Sequence, residues 1–410
     1  MMNRRQILAG GLGIAAAPQT HAQSSKKKVA AVVTMYTNDG RLNTHANVII
    51  GRLLDGYSPN GVFTEPRTRI VSMYTDQVPP ADLSRGLAEK HGFRICPTIQ
   101  EALTLGGADL AVDAVCFVGE HGNYPTNDRG QKLYPRYELL ERIVEVFRRT
   151  GKVVPVFCDK HFSYSWLKAK QMYDWSRDLK FPLMAGSSIP LTVRTPEVEI
   201  PWGAELEGAL MLGYGDLDAY GFHTLESMQC MVERRNGGET GIRSLEWLDG
   251  PAVWNWRDGA GSWTVPLLEA AFARDPGRKE GRMEDNVKSP VAFLIEYKDG
   301  LKAVAYMING QTSGWTFAAK LKGKAEPLAT HFGQPRDSGR ARPLAHFDGL
   351  VHCMEEMFIT GKPLCPVERT LLTTCALSIL FESRAWKKRI QTPELTIAYR
   401  APREAYFQRS

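Results

Sequence analysis

The chain has 410 residues, 43% of them hydrophobic and 23% charged, which is ordinary for a globular protein and longer than one core usually serves. Two domains are therefore expected, and no low-complexity tract or short repeat period points to a fibrous or solenoid chain. The formal charge of +6 is dispersed apart from Lys26-Lys27-Lys28, so it reads as a solvated surface and gives no footprint for nucleic acid.

The first segment, 1–22, reads as a targeting sequence. Arg4 and Arg5 precede a short Gly/Ala-rich apolar run, Leu8 to Ala17, and Thr20-His21-Ala22 resembles a small-residue cleavage site. That pattern suits the twin-arginine (Tat) route, so a periplasmic or otherwise exported protein is expected. The run is too short for a mature membrane helix, and no membrane contact is expected after its removal. The seven cysteines are scattered, without a C-x-x-C pair, and give no disulfide framework; Cys116 and Cys158 lie in apolar runs where a small buried thiol is the plain reading.

The first half alternates strand and helix. Lys28–Thr34 reads as a buried strand, 44–55 as a helix, and Gly56 with Ser58-Pro59-Asn60-Gly61 as a turn. Thr68–Tyr74 is a second strand, Ala81–Lys90 a helix, Thr98–Leu105 a short helix and Val112–Val118 a third apolar strand. A helix over Tyr137–Thr150 puts Leu139, Leu140, Ile143, Val144 and Phe147 on one face, with Gly151 closing it. Lys152–Phe157 is a fourth strand, Ser165–Leu179 a helix and Leu183–Ala185 a fifth strand. Such alternation implies a parallel sheet with right-handed crossovers.

The second half changes character. Ser289–Asn309 folds back at Lys298-Asp299-Gly300 as a hairpin, Trp315–Leu321 is a further strand, and helices are expected near 346–360 and 366–385 around Thr360-Gly361-Lys362-Pro363. The fold class is therefore α/β: a Rossmann-like parallel-sheet domain over 26–186, then an α+β domain over 187–410 with an open antiparallel sheet and terminal helices packing partly back. Trp202, Trp247, Trp254, Trp256 and Trp263 fall in one region and are read chiefly as core packing.

Four motifs carry a resemblance. Cys158-Asp159-Lys160 follows the fourth strand, Leu183-Met184-Ala185-Gly186 forms the next one, Gly213 to His223 holds a glycine-rich run ending in G-x-H, and Phe347-Asp348-Gly349 leads to Gly361-Lys362-Pro363. In this order they resemble the glucose-fructose oxidoreductase/inositol dehydrogenase (Gfo/Idh/MocA) family over nearly all of the mature chain. The resemblance implies catalytic roles for Lys160 and His223, with Asp159 and Asp218 beside them. It also implies a carbohydrate or polyol substrate, NAD or NADP as cofactor, and a homo-oligomer.

The nucleotide loop departs from that pattern. Where G-x-G-x-x-G would let backbone approach a pyrophosphate, this chain runs from Thr34 through Tyr36 to Thr44 with Gly40 as its one glycine. Thr34, Tyr36, Gly40 and Arg41 are the loop residues left to meet the nucleotide, Asp76 follows the second strand where a ribose hydroxyl would lie, and Glu120 and His121 follow the third. His161 replaces a proline of the resembled motif, and Asp218 stands five residues before His223 instead of four. Glu120, His121, Asp159, His161 and His223 would share the carboxyl end of the sheet, but no compact ligand spacing joins them and no metal is assigned. Three readings stand: an NAD(P)-dependent oxidoreductase, a cofactor-independent lyase, epimerase or hydratase, and a non-catalytic carbohydrate-binding derivative.

Overall fold

The structure, a computed structural model, describes residues 26–40, 43–335 and 343–409; the expected leader and Arg41 lie outside them. Six parallel strands, β1 (Lys27–Met35), β2 (Thr68–Gln77), β3 (Arg94–Ile95), β4 (Ala114–Val118), β5 (Val156–Asp159) and β6 (Leu183–Gly186), pair in the order β3-β2-β1-β4-β5-β6. The connecting helices are α1 (His45–Asp55), α2 (Ser84–His91), α3 (Ile99–Thr104), α4 (Arg136–Thr150) and α5 (Trp166–Leu179). The order reverses between β1 and β4, which opens a crevice outside the carboxyl ends of the strands. β5 starts later than expected because Pro155 has no N–H to give; its carbonyl still accepts from Val115 N at 2.9 Å.

The second sheet has eight strands: β7 (Arg194–Thr195), β8 (Leu206–Gly213), β9 (Ile242–Asp249), β10 (Val291–Tyr297), β11 (Lys302–Met307), β12 (Trp315–Leu321), β13 (Leu328–Phe332) and β14 (Ile390–Gln391). Their order is β14-β9-β10-β11-β8-β12-β13-β7. The hairpin expected at Lys298-Asp299-Gly300 joins β10 to β11. The sheet is mixed, since β8 runs parallel to β11 while its other neighbour, β12, is antiparallel.

One face of this sheet packs on α6 (Ala219–Val232) and, near β9, on α11 (Val367–Trp386). The other face is covered by α7 (Pro251–Asp258), α8 (Val265–Phe272) and α9 (Met283–Asn286), which bury Leu210, Leu212, Val304 and Tyr306. With both faces covered, the strands read as continuous apolar runs. Trp247 packs in the main core, Trp254, Trp256 and Trp263 pack on the covered face, and Trp202 is largely exposed. α10 (His346–Thr360) packs chiefly on the first half. Its Phe347, Leu350, Val351, Met354 and Phe358 share a core with Val29, Val33, Ile49 and Ile50 of β1 and α1. No helix among the described residues is long and apolar enough to cross a membrane.

Candidate active site

The carboxyl ends of β4, β5 and β6 converge on one buried lysine. Lys160, directly after β5, is 4% exposed and its Nζ lies 3.2 Å from Glu120 Oε1. The second oxygen of Glu120 takes Nη2 of Arg136, the first residue of α4. Arg136 is wholly buried, lies over the Tyr134 ring and reaches His161 Nε2 at 3.2 Å with Nη1. Two cations on one carboxylate outweigh its desolvation and hold Glu120 well below the usual carboxylate range. Gly119 permits this packing, since a Cβ there would meet Arg136 Cγ at 2.7 Å.

Lys160 and His121 both adopt left-handed backbone, at φ 59° and 70°. Non-glycine residues rarely do so, and two such positions at adjacent strand ends mark a site that the surrounding structure over-determines. The Lys160 amide donates to the Gly186 carbonyl at 3.2 Å, which ties the lysine to the end of β6.

Besides His161, four imidazoles lie around the Lys160–Glu120 pair, three of them anchored through Nδ1 by a side chain. His45 Nδ1 lies 2.7 Å from Asp159 Oδ2, His223 Nδ1 lies 2.5 Å from Ser187 Oγ, and His346 Nδ1 lies 2.7 Å from Ser188 Oγ. Nδ1 of the fourth, His121, accepts the His45 backbone N–H at 3.3 Å. Burial depresses His223 strongly, His121 to about 4 and His346 to about 3, so these rings are neutral near pH 7. Behind His223, Glu226 accepts from Ser187 N at 2.5 Å and from Thr370 Oγ1 at 2.5 Å; burial raises it to about 7. Gly186 makes room for that carboxyl: its φ is 131°, and a Cβ would meet Glu226 Oε1 at 2.6 Å. On the other side, His223 meets Trp315 edge-on at 5.5 Å, and Tyr220 stacks on the same indole.

A groove of about 720 Å³ opens beside this cluster, lined by Met35, Gln77, Val78, His121, Asn123 and Tyr134. It sits at the reversal point between β1 and β4, where open α/β sheets bind ligands. The sequence matches no protein-family model and no curated protein. Solved structures do match in three dimensions. GenD2 from gentamicin A biosynthesis, in complex with NAD, superposes with a TM-score of 0.55 and 13% identity over 92% of this chain and 99% of its own. The scyllo-inositol dehydrogenase of Lactobacillus casei gives 0.55 and 10% identity over 89% and 98%. The myo-inositol dehydrogenase of Corynebacterium glutamicum gives 0.52 and 12% over the same shares.

The fold is that of the inositol dehydrogenases.

Within that fold, Lys160, Asp159, His223, Glu120 and His121 lie close together at the carboxyl ends of the strands. Asp218 stands one step away: Oδ2 accepts from Lys132 N at 2.9 Å, Oδ1 lies 3.8 Å from His161 Nε2, and burial raises the carboxyl to about 6. The loop residues fare differently. The Thr34 hydroxyl donates to the Glu120 carbonyl at 2.8 Å, and Tyr36 is wholly buried in the core of β1, α1 and α10, so both serve the scaffold instead of a ligand. Gly40 has left-handed backbone at φ 81°, and before and after it Thr37 and Thr44 are tied, Thr44 Oγ1 donating to Thr37 O and accepting from Thr37 N, both at 3.0 Å. Asp76 is exposed at the end of β2 and holds two phenols, Tyr74 OH at 2.9 Å and Tyr124 OH at 2.6 Å.

Sequence reasoning missed Arg136, Ser187, Ser188 and His346. Arg136 had a signal, standing at the seam between the Tyr-bearing insert and the helix that follows it. His346 directly precedes Phe347-Asp348-Gly349. Ser187 and Ser188 carry no pattern of their own; only the closeness of α6 and α10 gives them partners. Among the described residues, no group of three or more His, Cys, Asp or Glu side chains is arranged to hold a metal ion.

Proposed function

We propose that this protein is an oxidoreductase that acts on a carbohydrate hydroxyl and takes a nicotinamide nucleotide, NAD or NADP, in the groove at the reversal point. The observation that carries the reading is the buried Lys160–Glu120 pair near a neutral His223, with the neighbouring His121 lining a groove of dinucleotide-binding position. Two of the matching structures hold NAD: GenD2 and an oxidoreductase from Agrobacterium radiobacter in complex with NAD+, L-tartaric acid and magnesium.

The groove fits a dinucleotide by an unusual route. In a glycine loop, backbone amides at the start of α1 would face the pyrophosphate. Here the His45 amide is given to His121 Nδ1, so the neutral ring carries its proton on Nε2. His121 lines the groove and thus passes the helix amide on as an imidazole N–H donor. Asp76 and Gln77, at the end of β2, are the groups for ribose hydroxyls. When bound, the nicotinamide supplies a hydride acceptor. Lys160 holds the substrate oxygen, and its ammonium favours the negative charge that develops there. His223, neutral and anchored by Ser187, leaves Nε2 as the nitrogen that takes the hydroxyl proton.

The second reading is a cofactor-independent acid–base enzyme on the same carbohydrate class. It is favoured by Thr44, which already caps α1 by accepting Asn47 N and holds both the N–H and the carbonyl of Thr37. The leader adds a proposal of export, and a homo-oligomer is proposed on a surface other than the sheet face covered by α7–α9. The deciding experiment is to denature the purified protein and look for released NAD(H) or NADP(H) by absorbance and mass spectrometry, with titration of free nucleotide alongside. Released or titratable nucleotide upholds the oxidoreductase. A chain that neither carries nor binds it moves the function to lyase or epimerase chemistry.

A further inference from the structure

A second crevice lies on the covered face of the eight-stranded sheet, opposite the face on which α6 carries His223. It holds about 230 Å³ and opens between α7, the turn at Ser262–Thr264 and the strands β10 and β11. Two half-buried indoles, Trp256 and Trp263, form its corner, with ring centroids 6.4 Å apart and planes at 88°. Glycines seat both rings against backbone. A Cβ on Gly208 of β8 would meet Trp263 Cζ3 at 2.7 Å, and one on Gly261 would meet Trp256 Cε3 at 2.5 Å. Rings held in this way lose little freedom when a ligand settles on them.

The facing wall is polar. Glu296 and Lys302 stand directly across from each other on β10 and β11, so both side chains project from the same face of the sheet. Glu296 accepts from Arg243 Nη1 at 3.1 Å and from Ser244 Oγ at 3.3 Å, which orients the carboxylate and leaves lone pairs for a further donor. Lys302 is exposed, and its ammonium has no ion pair among the described residues. Arg389 completes the rim, steadied by Glu246 Oε2 at 2.8 Å.

We propose that this crevice binds one hexopyranose ring, its C–H face on the Trp256–Trp263 corner and its hydroxyls between Glu296 and Lys302.

A sugar ring is apolar on its C–H face and polar at its edge, as the two walls are. Vicinal hydroxyls both donate and accept, and a carboxylate beside an ammonium answers both senses at once. The volume lies below the roughly 300–1,000 Å³ of clefts that take larger ligands, which fits a single ring and excludes a dinucleotide. The sheet separates the crevice from Lys160, so the proposal is independent of the oxidoreductase reading: nucleotide release tests the cleft, and sugar binding here needs no nucleotide.

The test labels the full chain with 5-fluorotryptophan and follows its fluorine NMR spectrum as D-glucose, D-galactose or D-mannose is added to tens of millimolar. Trp256→Phe and Trp263→Phe assign two of the nine tryptophan lines. Trp315→Phe assigns a reporter of the cleft, because that indole meets His223. At least one of these sugars should shift the Trp256 and Trp263 lines saturably. Lys302→Ala and Glu296→Gln should each weaken that titration about tenfold. No saturable shift with any of the sugars, a response confined to Trp315, or an unchanged affinity in both rim variants would overturn the proposal. Should an indole variant not fold, as read by circular dichroism, the rim variants decide, since Lys302 is exposed and Glu296 partly so.

Discussion

Replacing Glu120 by Gln keeps the shape of the side chain and removes the charge that two buried cations share. Lys160 Nζ lies 3.2 Å from Glu120 Oε1, with both side chains 5% exposed. At an effective dielectric of about 20, that contact alone is worth about 5 kcal/mol before desolvation is counted. Removing one partner of a buried pair commonly costs about 3–5 kcal/mol, because the other charge stays behind uncompensated. Here Arg136 is left as well, so Glu120→Gln should lose at least about 3 kcal/mol. The assay is guanidinium unfolding followed by tryptophan fluorescence near pH 7, run as a double-mutant cycle with Lys160→Met. The lysine variant leaves Glu120 paired with Arg136 and should cost less. Adding Glu120→Gln to it should cost less than in the wild type, with a coupling of about 1–3 kcal/mol. The pH dependence gives a second check. Glu120 is held below its ordinary value of 4.5, so its stabilisation is fully present above that value and is lost as pH falls through the lower folded value. The wild type should therefore converge on Glu120→Gln in acid. Effects that add to within about 0.5 kcal/mol would refute the reasoning, because they would mean the two groups do not interact.

Glu226 should behave in the opposite sense. Its folded value of about 7 lies above the ordinary 4.5, so the native state holds the proton more tightly, and this contribution to stability fades as pH rises from about 4.5 to about 7. The difference in unfolding free energy between wild type and Glu226→Gln, measured across that range, should carry the slope; a flat difference refutes it. Gly186→Ala puts a Cβ 2.6 Å from Glu226 Oε1 at a φ of 131° and should destabilise by about 2–4 kcal/mol in the same unfolding assay. His121→Ala removes the imidazole between the α1 amide and the groove. It should weaken NAD or NADP binding by about tenfold or more in calorimetry, while an unchanged affinity would remove His121 from the nucleotide site. Asp76→Asn should lower affinity by a similar factor, with Tyr124→Phe as the control that keeps the carboxylate.

The parallel half was legible because its signals are local. Apolar runs such as Val112–Val118 and the one-sided pattern of Tyr137–Thr150 dictate strand and helix wherever they sit. The ends of elements were less so. The helix expected from Ala81 starts at Ser84, since Leu83 N is engaged by the Tyr36 carbonyl and Asp82 pairs with Thr37. In the second half β8, β9 and β13 went unread. Covered on both faces, β8 shows Ala209 to Leu212 as an unbroken apolar stretch, which periodicity cannot distinguish from a buried helix. At the site, Lys160 and His223 were found because they sit in ordered motifs. Arg136, Ser188 and His346 were not, because their roles arise from contacts across 25 or 158 residues, as in Arg136–His161 and Ser188–His346.

The placement of α10 bears on the order in which this chain can mature. Arg52 Nε meets Asp348 Oδ1 at 2.5 Å, and Glu355 accepts from Tyr57 OH at 2.8 Å and from Thr68 Oγ1 at 2.6 Å, across nearly 300 residues of sequence. A ribosome that has released only the first half has made β1, α1 and β2 but not the helix that shields them. Val29, Ile49 and Ile50 then wait in the open, and Arg52 waits without its carboxylate. Synthesis must run past Phe358 before the N-terminal layer can seal, so the nascent chain is exposed to chaperones and proteases for most of its translation. A gene fragment ending at Gly186 should accordingly yield an aggregating product, even though it encodes every strand of the first sheet.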